Sequence, residues 1–454
     1  MAEPGETGVR VSGAIEGLEP AHVAKLMRRA VAAATIGNAL EFYDFITYAF
    51  FAIQIGHAFF PTHNAYGSLM LSLATFGAGF ITRPLGGIVI GTYADRVGRK
   101  PAMMLSFTMM GCAIITIALI PSYATIGIAA PILAVLARMV QGFSLGGEVG
   151  PTTAYLMESA PLKSRGLAVS WQGASQGIAA TLGGLVGVGL SSVMAPAALD
   201  AYGWRIAFLL GAITLPFGLW IRHGVPETLH ESEPTAKATS ASSGFGVVRE
   251  NSRIIVLALL VLASGTITTY VFDYITTFAE NTLHIGTTIS FLAGALGNIA
   301  GVAAVLWGGW LSDRIGRRPV MIWPNLAFLI LILPTFFWIV DTRSTVALLV
   351  GTIGLGFVSS INAGAFYAAV AETLPKRIRG RAFATIYASS IALFGGTTQL
   401  VITWLIKTTG SPLAPAWYLF AANIVGMIAI MLILESAPVK LQAAELSLAP
   451  AVIP

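Results

Sequence analysis

Six ionisable residues stand inside otherwise apolar stretches: Glu41, Asp44, Arg83, Arg138, Glu148 and Asp273. A charge in a bilayer core costs ~2.5–3.5 kcal/mol on insertion scales, so six unpaired in lipid would cost roughly 15–20 kcal/mol. They are therefore expected to face a wet cavity or one another. A guanidinium stays charged and binds carboxylates bidentately, which makes Arg83 and Arg138 candidates for holding an acidic substrate. Buried carboxyls can exchange a proton near neutral pH, which makes Glu41, Asp44, Glu148 and Asp273 candidate proton carriers. The alternative is that Arg83–Glu41 or Arg138–Asp44 are permanent structural ion pairs. Only Asp273 lies in the second half of the chain. It is about 20 residues into its apolar stretch and could equally reach the outer rim.

Spacing supports a shared lumen. Arg138, Gln141, Leu145 and Glu148 follow the i, i+3, i+7, i+10 rhythm of one helical face. Ten residues of helix separate Arg138 from Glu148 by about 15 Å, so each needs a partner on another helix or a ligand. Asn38, Glu41, Phe45 and Tyr48 form a second stripe, with Asp44 beside it. Arg83 precedes Asp95 by about 18 Å of helix, which puts it near mid-membrane. Gln172, Ser175 and Gln176 share a face, and Gly173, Gly177, Gly183 and Gly187 on the same segment suit close helix packing. Asn38, Tyr43, Gln141, Gln172 and Gln176, with Tyr270 and Asn362 from the second half, complete the candidate substrate contacts. Helix–helix hydrogen bonding is the commoner use of such residues. The second half otherwise offers Asn298, Tyr367 and Gln399.

The elements that position these groups must be membrane helices. Of 454 residues, 56% are hydrophobic and 10% charged, with a mean hydropathy of +0.78, against about 25% charged in soluble domains. Stretches of about 20 apolar residues begin near 30, 68, 102, 124, 166, 204, 253, 288, 319, 345, 382 and 413. The 49 glycines point to closely packed helices, and the alternating pattern of a membrane barrel is missing. No cleavable signal peptide is expected. The single cysteine, Cys112, can form no intrachain disulfide.

A charged cassette occurs twice between such stretches. Gly91-Thr-Tyr-Ala-Asp95-Arg96-Val-Gly98-Arg99-Lys100 is echoed by Gly309-Trp-Leu-Ser-Asp313-Arg314-Ile-Gly316-Arg317-Arg318. Glu158 and Arg165 likewise recur as Glu372 and Arg379. The chain is thus predicted to be an all-α integral membrane protein of 12 transmembrane helices in two pseudo-symmetric six-helix bundles. Duplication of this kind serves transport, because two bundles can rock about one shared site. The bundles are placed at 30–222 and 253–434, joined by a polar, Ser/Thr/Pro-rich linker at 223–252, with tails at 1–29 and 435–454. With both termini in the cytoplasm, the basic residues fall in cytoplasmic segments except for five. Arg205, Arg343 and Lys407 border the outer face, and Arg83 and Arg138 lie within spans. The net charge of +5 is therefore a topology signal and not a nucleic-acid footprint.

The doubled cassette resembles the signature of the major facilitator superfamily. Its chemistry can lock the halves: the aspartate can meet a neighbouring helix N-terminus, and the arginines supply fixed positive charge. Gly91, Asp95, Arg96, Gly98, Arg99, Glu158, Arg165, Asp313, Arg314, Arg317, Glu372 and Arg379 are accordingly expected to form a gating network on the cytoplasmic face; the bland alternative is simple topological anchoring. Three further segments resemble the metabolite:proton symporters within that superfamily. They are Gly37-Asn38-Ala39-Leu40-Glu41-Phe42-Tyr43-Asp44-Phe45, Phe80-Ile81-Thr82-Arg83-Pro84-Leu85-Gly86-Gly87, and Arg138-Met-Val-Gln141-Gly142-Phe-Ser144-Leu-Gly146-Gly147-Glu148. Pro121-Ser122-Tyr123-Ala-Thr125-Ile126-Gly127 and Ser170-Trp171-Gln172 are most similar to the citrate and tricarballylate branch. The fifth span lacks the Gly-Pro typical of antiporters in the superfamily, which favours symport.

The resemblance implies proton-coupled symport of a small organic anion, a di- or tricarboxylate, at a bacterial inner membrane. The driving force would be the proton gradient, with no cofactor, no metal and no nucleic-acid partner, and the protein is expected to work as a monomer. The runner-up is symport of a zwitterion or hydroxy acid such as betaine, proline or shikimate. A non-transporting sensor would carry a soluble signalling domain, for which the termini look too short. An enzyme is not expected, since the sequence carries no nucleophile elbow, P-loop, metal cluster or dinucleotide fingerprint. A channel is disfavoured by the lack of a filter-like loop.

Overall fold

The computed structural model describes residues 35–40, 42–62, 64–97, 99–146, 156, 160, 162–212, 251–374 and 379–441. Helix begins within a few residues of each expected start that falls among the described residues. The first span comprises helical residues 35–40 and 42–50, continued by α1 (Ala52–Phe59). Then come α2 (Ala65–Ile81), α3 (Arg83–Val97), α4 (Arg99–Leu119), α5 (Ala129–Leu145) and α6 (Arg165–Val193). A sixth helical stretch covers residues 204–212. The second half runs α7 (Ser252–Asp273), α8 (Thr287–Ile315), α9 (Arg317–Thr342) and α10 (Thr345–Thr373). It ends with α11 (Arg379–Ser390), a π-helical turn at Ile391–Gly395, α12 (Gly396–Thr409) and α13 (Ala414–Leu432). Among the described residues, eight helices are long and apolar enough to cross a bilayer. The linker placed at 223–252 falls almost wholly outside the described residues.

Local chemistry marks several ends. Asn64 caps α2 by accepting from the Tyr66 N–H at 2.9 Å, and Ser344 caps α10 through the Ala347 N–H at 3.0 Å. The second span is broken at Thr82, immediately before Arg83-Pro84. Pro84 has no N–H to donate, so a fresh helix starting at Arg83 loses nothing by it. The Thr82 hydroxyl donates to the Met139 carbonyl at 2.7 Å and fastens the break to α5. Gly142 crosses the Gly79 carbonyl so closely that any Cβ would overlap it.

Polarity is arranged inside out. Leu71, Ile88, Ile132, Trp323, Ile330, Val350, Trp404 and Trp417 are exposed, whereas Arg83, Arg138, Gln141, Gln172 and Asp273 are buried. That is the order expected when hydrocarbon replaces water outside. The halves meet chiefly where α6 runs along α8 and where α2 crosses α12. The α6–α8 contact extends from Gly166 beside Gly309 at one end to Gly187 beside Phe291 at the other.

Candidate functional site

A central cavity of about 140 Å³ lies between the halves. The first half gives it Phe42, Ile46, Gly173, Gln176, Gly177 and Ala180, of which only Gln176 carries a polar side chain. The second half supplies the rest of the chemistry. From α7 come Thr266, Thr269, Tyr270 and Asp273, from α8 Asn298, from α10 Ser359, Ser360, Asn362 and Tyr367, and from α11 Tyr387. Gln176 reaches across and donates to the Tyr387 hydroxyl at 3.2 Å. Asn362 Oδ1 is buried without a hydrogen-bond partner, so an acceptor is left for a ligand.

Of the expected substrate contacts, Gln176, Tyr270 and Asn362 line this cavity. Asn38, Tyr43, Gln141 and Gln172 do not; Asn38, Tyr43 and Gln172 make the helix–helix bonds that were the alternative reading, and Gln141 accepts from Arg138 on its own helix. Asn38 donates to Ser175 at 2.6 Å and accepts from Gln172 at 3.3 Å, while Tyr43 donates to the Ala207 carbonyl at 3.1 Å. The shared face of Gln172, Ser175 and Gln176 is therefore split. Two members turn to the first span, and only Gln176 turns to the other half.

Arg83 and Arg138 are 4% and 0% exposed and are absent from the cavity lining. Each is wrapped in aromatic rings. The Arg83 guanidinium lies 4.6 Å from the Phe45 ring centre and 4.5 Å from that of Phe80. That of Arg138 lies 4.4 Å from both Phe45 and Tyr48. Arg138 also donates from Nη1 to Gln141 Oε1, but Nε and Nη2 of both arginines find no hydrogen-bond partner. Among the described residues no ion pair within 4.0 Å joins either to a carboxylate. Arg138 and Asp44 are thus not joined as an ion pair in this structure. Tyr270, which does line the cavity, packs edge-on against Phe80 at 5.5 Å and against Phe76 at 6.1 Å. The arginines accordingly sit one layer of rings behind the cavity wall.

The carboxylates also separate. Asp44 is 1% exposed, with Oδ1 unpartnered and pressed on Gly211 of the sixth helical stretch, away from the cavity. Asp273 does not reach the rim; it is 4% exposed and lines the cavity. Glu41 and Glu148 fall outside the described residues. The cavity's threonines, its serines and Tyr387 were missed in the sequence, although Thr266, Thr269, Tyr270 and Asp273 follow an i, i+3, i+4, i+7 stripe that a periodicity search could have found.

At the cassette-bearing face the second copy bonds to the other half. The Asp313 carboxylate accepts from the N–H groups of Gly166 at 2.8 Å and Leu167 at 2.9 Å, capping α6 from the other half. Arg317, 1% exposed, donates to Asp313 at 2.7 Å and forks onto Glu372 at 3.1 and 3.0 Å. Glu372 therefore pairs within its own half. Arg314 is not in the network; its guanidinium stacks 3.9 Å from the Trp310 ring centre. Arg165 opens α6, and its Nε finds no partner. Gly91 and Arg96 lie on α3. The side chains of Asp95, Arg99 and Arg379, and all of Gly98 and Glu158, lie outside the described residues. At the opposite face Gln54 of α1 donates to Glu280 at 3.4 Å, and Phe51 packs on Phe291 at 4.8 Å. The halves touch at both ends around one central cavity.

Comparison with known proteins decides the family. The family described as Major Facilitator Superfamily matches residues 34–308 and 283–453. The chain belongs to the major facilitator superfamily. A citrate-proton symporter of Salmonella typhi is 35% identical over 404 residues, covering 88% of this chain and 92% of that protein. A Staphylococcus aureus (strain COL) protein named for proline/betaine transport is 34% identical over 420 residues, covering 90% and 88%. The superfamily fold is seen directly in the xylose transporter of E. coli in a partially occluded inward-open conformation. That structure superposes with a TM-score of 0.71 at 17% identity, covering 91% of this chain and 99% of that one. The narrower resemblance to metabolite:proton symporters agrees with these relatives. As a superfamily member the chain is a carrier and not an enzyme.

Proposed function

We propose that this carrier moves a small, citrate-like di- or tricarboxylate together with protons by alternating access. The observation that carries this reading is the pair of buried guanidiniums beside the central cavity, each with two donor nitrogens unpartnered. A buried charge without a counter-charge costs several kcal/mol. Stacking on rings returns about 2 kcal/mol per desolvated contact but supplies no acceptor to the free nitrogens, and an anionic cargo would supply the acceptors that the described residues do not. Rocking of the halves would break the Asp313–α6 cap on one face and the Gln54–Glu280 contact on the other in turn. The cassette face is assigned to the cytoplasm together with both termini, in a bacterial inner membrane. The carrier would act as a monomer, without a cofactor, driven by the proton gradient.

The relatives support the cargo class: the Salmonella typhi protein is a citrate-proton symporter. A second reading, symport of a zwitterion such as proline or betaine, draws on the other relative and on an acid in the cavity across from two arginines. Uptake into proteoliposomes under an imposed pH gradient separates the two. Citrate accumulation that follows the gradient, with betaine and proline excluded, is the expected result. Preference for betaine or proline overturns the anion reading.

A further inference from the structure

We propose that Asp273 is the proton-sensing carboxyl of the cavity: its protonation admits the anion, and its ionisation expels it. The inference rests on the anion reading above and names the group that couples cargo to proton. Of the two spanning carboxylates described, Asp44 turns toward Gly211 and Asp273 toward the cavity. Asp273 is the only Asp, Glu, Lys or Arg in the described lining. The titratable groups that share the cavity with it are phenols: Tyr270 on its own helix, Tyr367 on α10 and Tyr387 on α11. Helices α8, α9 and α13 present amides through Asn298, Asn325 and Asn423, and no charge. The arginines lie beyond Phe80 and Phe76.

An ionised Asp273 would thus share its cavity with the carboxylates of the cargo, like charge against like charge. Protonated, it is neutral and offers an O–H to a cargo oxygen. Anion and proton then bind together or leave together, and each raises the affinity for the other by the same factor. The proton comes from water on the open side, rides on Asp273 as the carboxyl hydrogen, and returns to water on the other side when the anion departs. Position favours the role as well. Asp273 ends α7, and the chain continues through Ile275–Thr277 into the π-helical turn Phe278–Thr282 that holds Glu280. Protonation at the cavity is therefore within two turns of the contact that closes the opposite face.

The test uses the full chain in proteoliposomes with labelled citrate, measured two ways: accumulation driven by a pH gradient, and counterflow at equal pH. Counterflow exchanges cargo without net proton movement. Wild type failing in both assays would sink the anion reading itself. With wild type active, Asp273→Asn is expected to retain counterflow and lose accumulation altogether. Accumulation at the wild-type level in that variant overturns the inference, as does loss of both activities in a folded variant, which would make Asp273 a cargo residue. If the Asn variant does not fold, Asp273→Glu decides. A displaced pH midpoint of citrate counterflow supports the inference, and an unchanged midpoint overturns it.

Discussion

The two halves of this carrier divide what a binding site needs. The first holds fixed positive charge without room: Arg83 and Arg138 are buried to 4% and 0% exposure among Phe45, Tyr48, Phe76 and Phe80. The second holds room without positive charge, a wall of hydroxyls and amides with one acid. A duplicated fold therefore need not mean a duplicated chemistry. On the proposed reading, one half would supply the attraction and the other the shape and the proton.

The comparison breaks most sharply at the arginines. Arg138→Lys keeps the charge but loses the planar guanidinium stacked on Phe45 and Tyr48 and its bond to Gln141. We expect citrate uptake to fall about 100-fold, or about 2.8 kcal/mol at 1.4 kcal/mol per tenfold. Wild-type uptake in this variant would show that the planar guanidinium itself is not required for cargo. Next comes the Asp313 cap on α6. Asp313→Asn uncaps α6 and removes a counter-charge from Arg317, a kind of loss that costs about 3–5 kcal/mol when the pair is buried. Turnover is expected to drop about tenfold while citrate affinity in counterflow is preserved. A change in affinity with normal turnover would move Asp313 from gate to site.

A smaller effect is expected at the opposite face. By accepting from His57 Nδ1 at 2.9 Å, the Asp200 carboxylate holds the histidine pKa above its ordinary value, and burial pushes Glu280 above the ordinary carboxyl range. Both groups favour the proton in the closed form. Their contribution is complete below the ordinary pKa of each group and is lost as pH climbs through the raised values. Closure should loosen with rising pH, read as faster hydrogen–deuterium exchange over Phe278–Thr282 after correction for intrinsic rates. His57 is half-exposed, so its share is under about 1 kcal/mol. Exchange unaffected by pH would remove this sensitivity. The mildest change is Gln176→Ala, which deletes the 3.2 Å bond to Tyr387 across the halves. It should raise the KM for citrate less than about tenfold, the range of one hydrogen bond worth about 0.5–1.5 kcal/mol.

What could be read without coordinates follows from the bilayer. Apolar runs of about 20 residues, the doubled Asp-Arg-x-Gly-Arg cassette and the rarity of intramembrane charge announced a two-bundle membrane carrier, because hydrocarbon punishes any other arrangement. Arg83, Arg138 and Asp273 stood out for the same reason. Pro84 offered a sequence signal for the break at Thr82 that was not read as one, whereas the π turn at Ile391–Gly395 has no proline within it.

The sequence by itself determined the membrane class, the duplication and the short list of charges, since each is a matter of residue type and one-dimensional spacing. Only the tertiary structure decided which charges face the cavity. Asp44 and Asp273 are alike as side chains; one is turned to Gly211 and the other to an open lumen by helix rotation and crossing. Those are set by close contacts between segments far apart in the chain, Gly142 against Gly79 and α6 against α8, which a period of 3.6 residues on one helix does not encode.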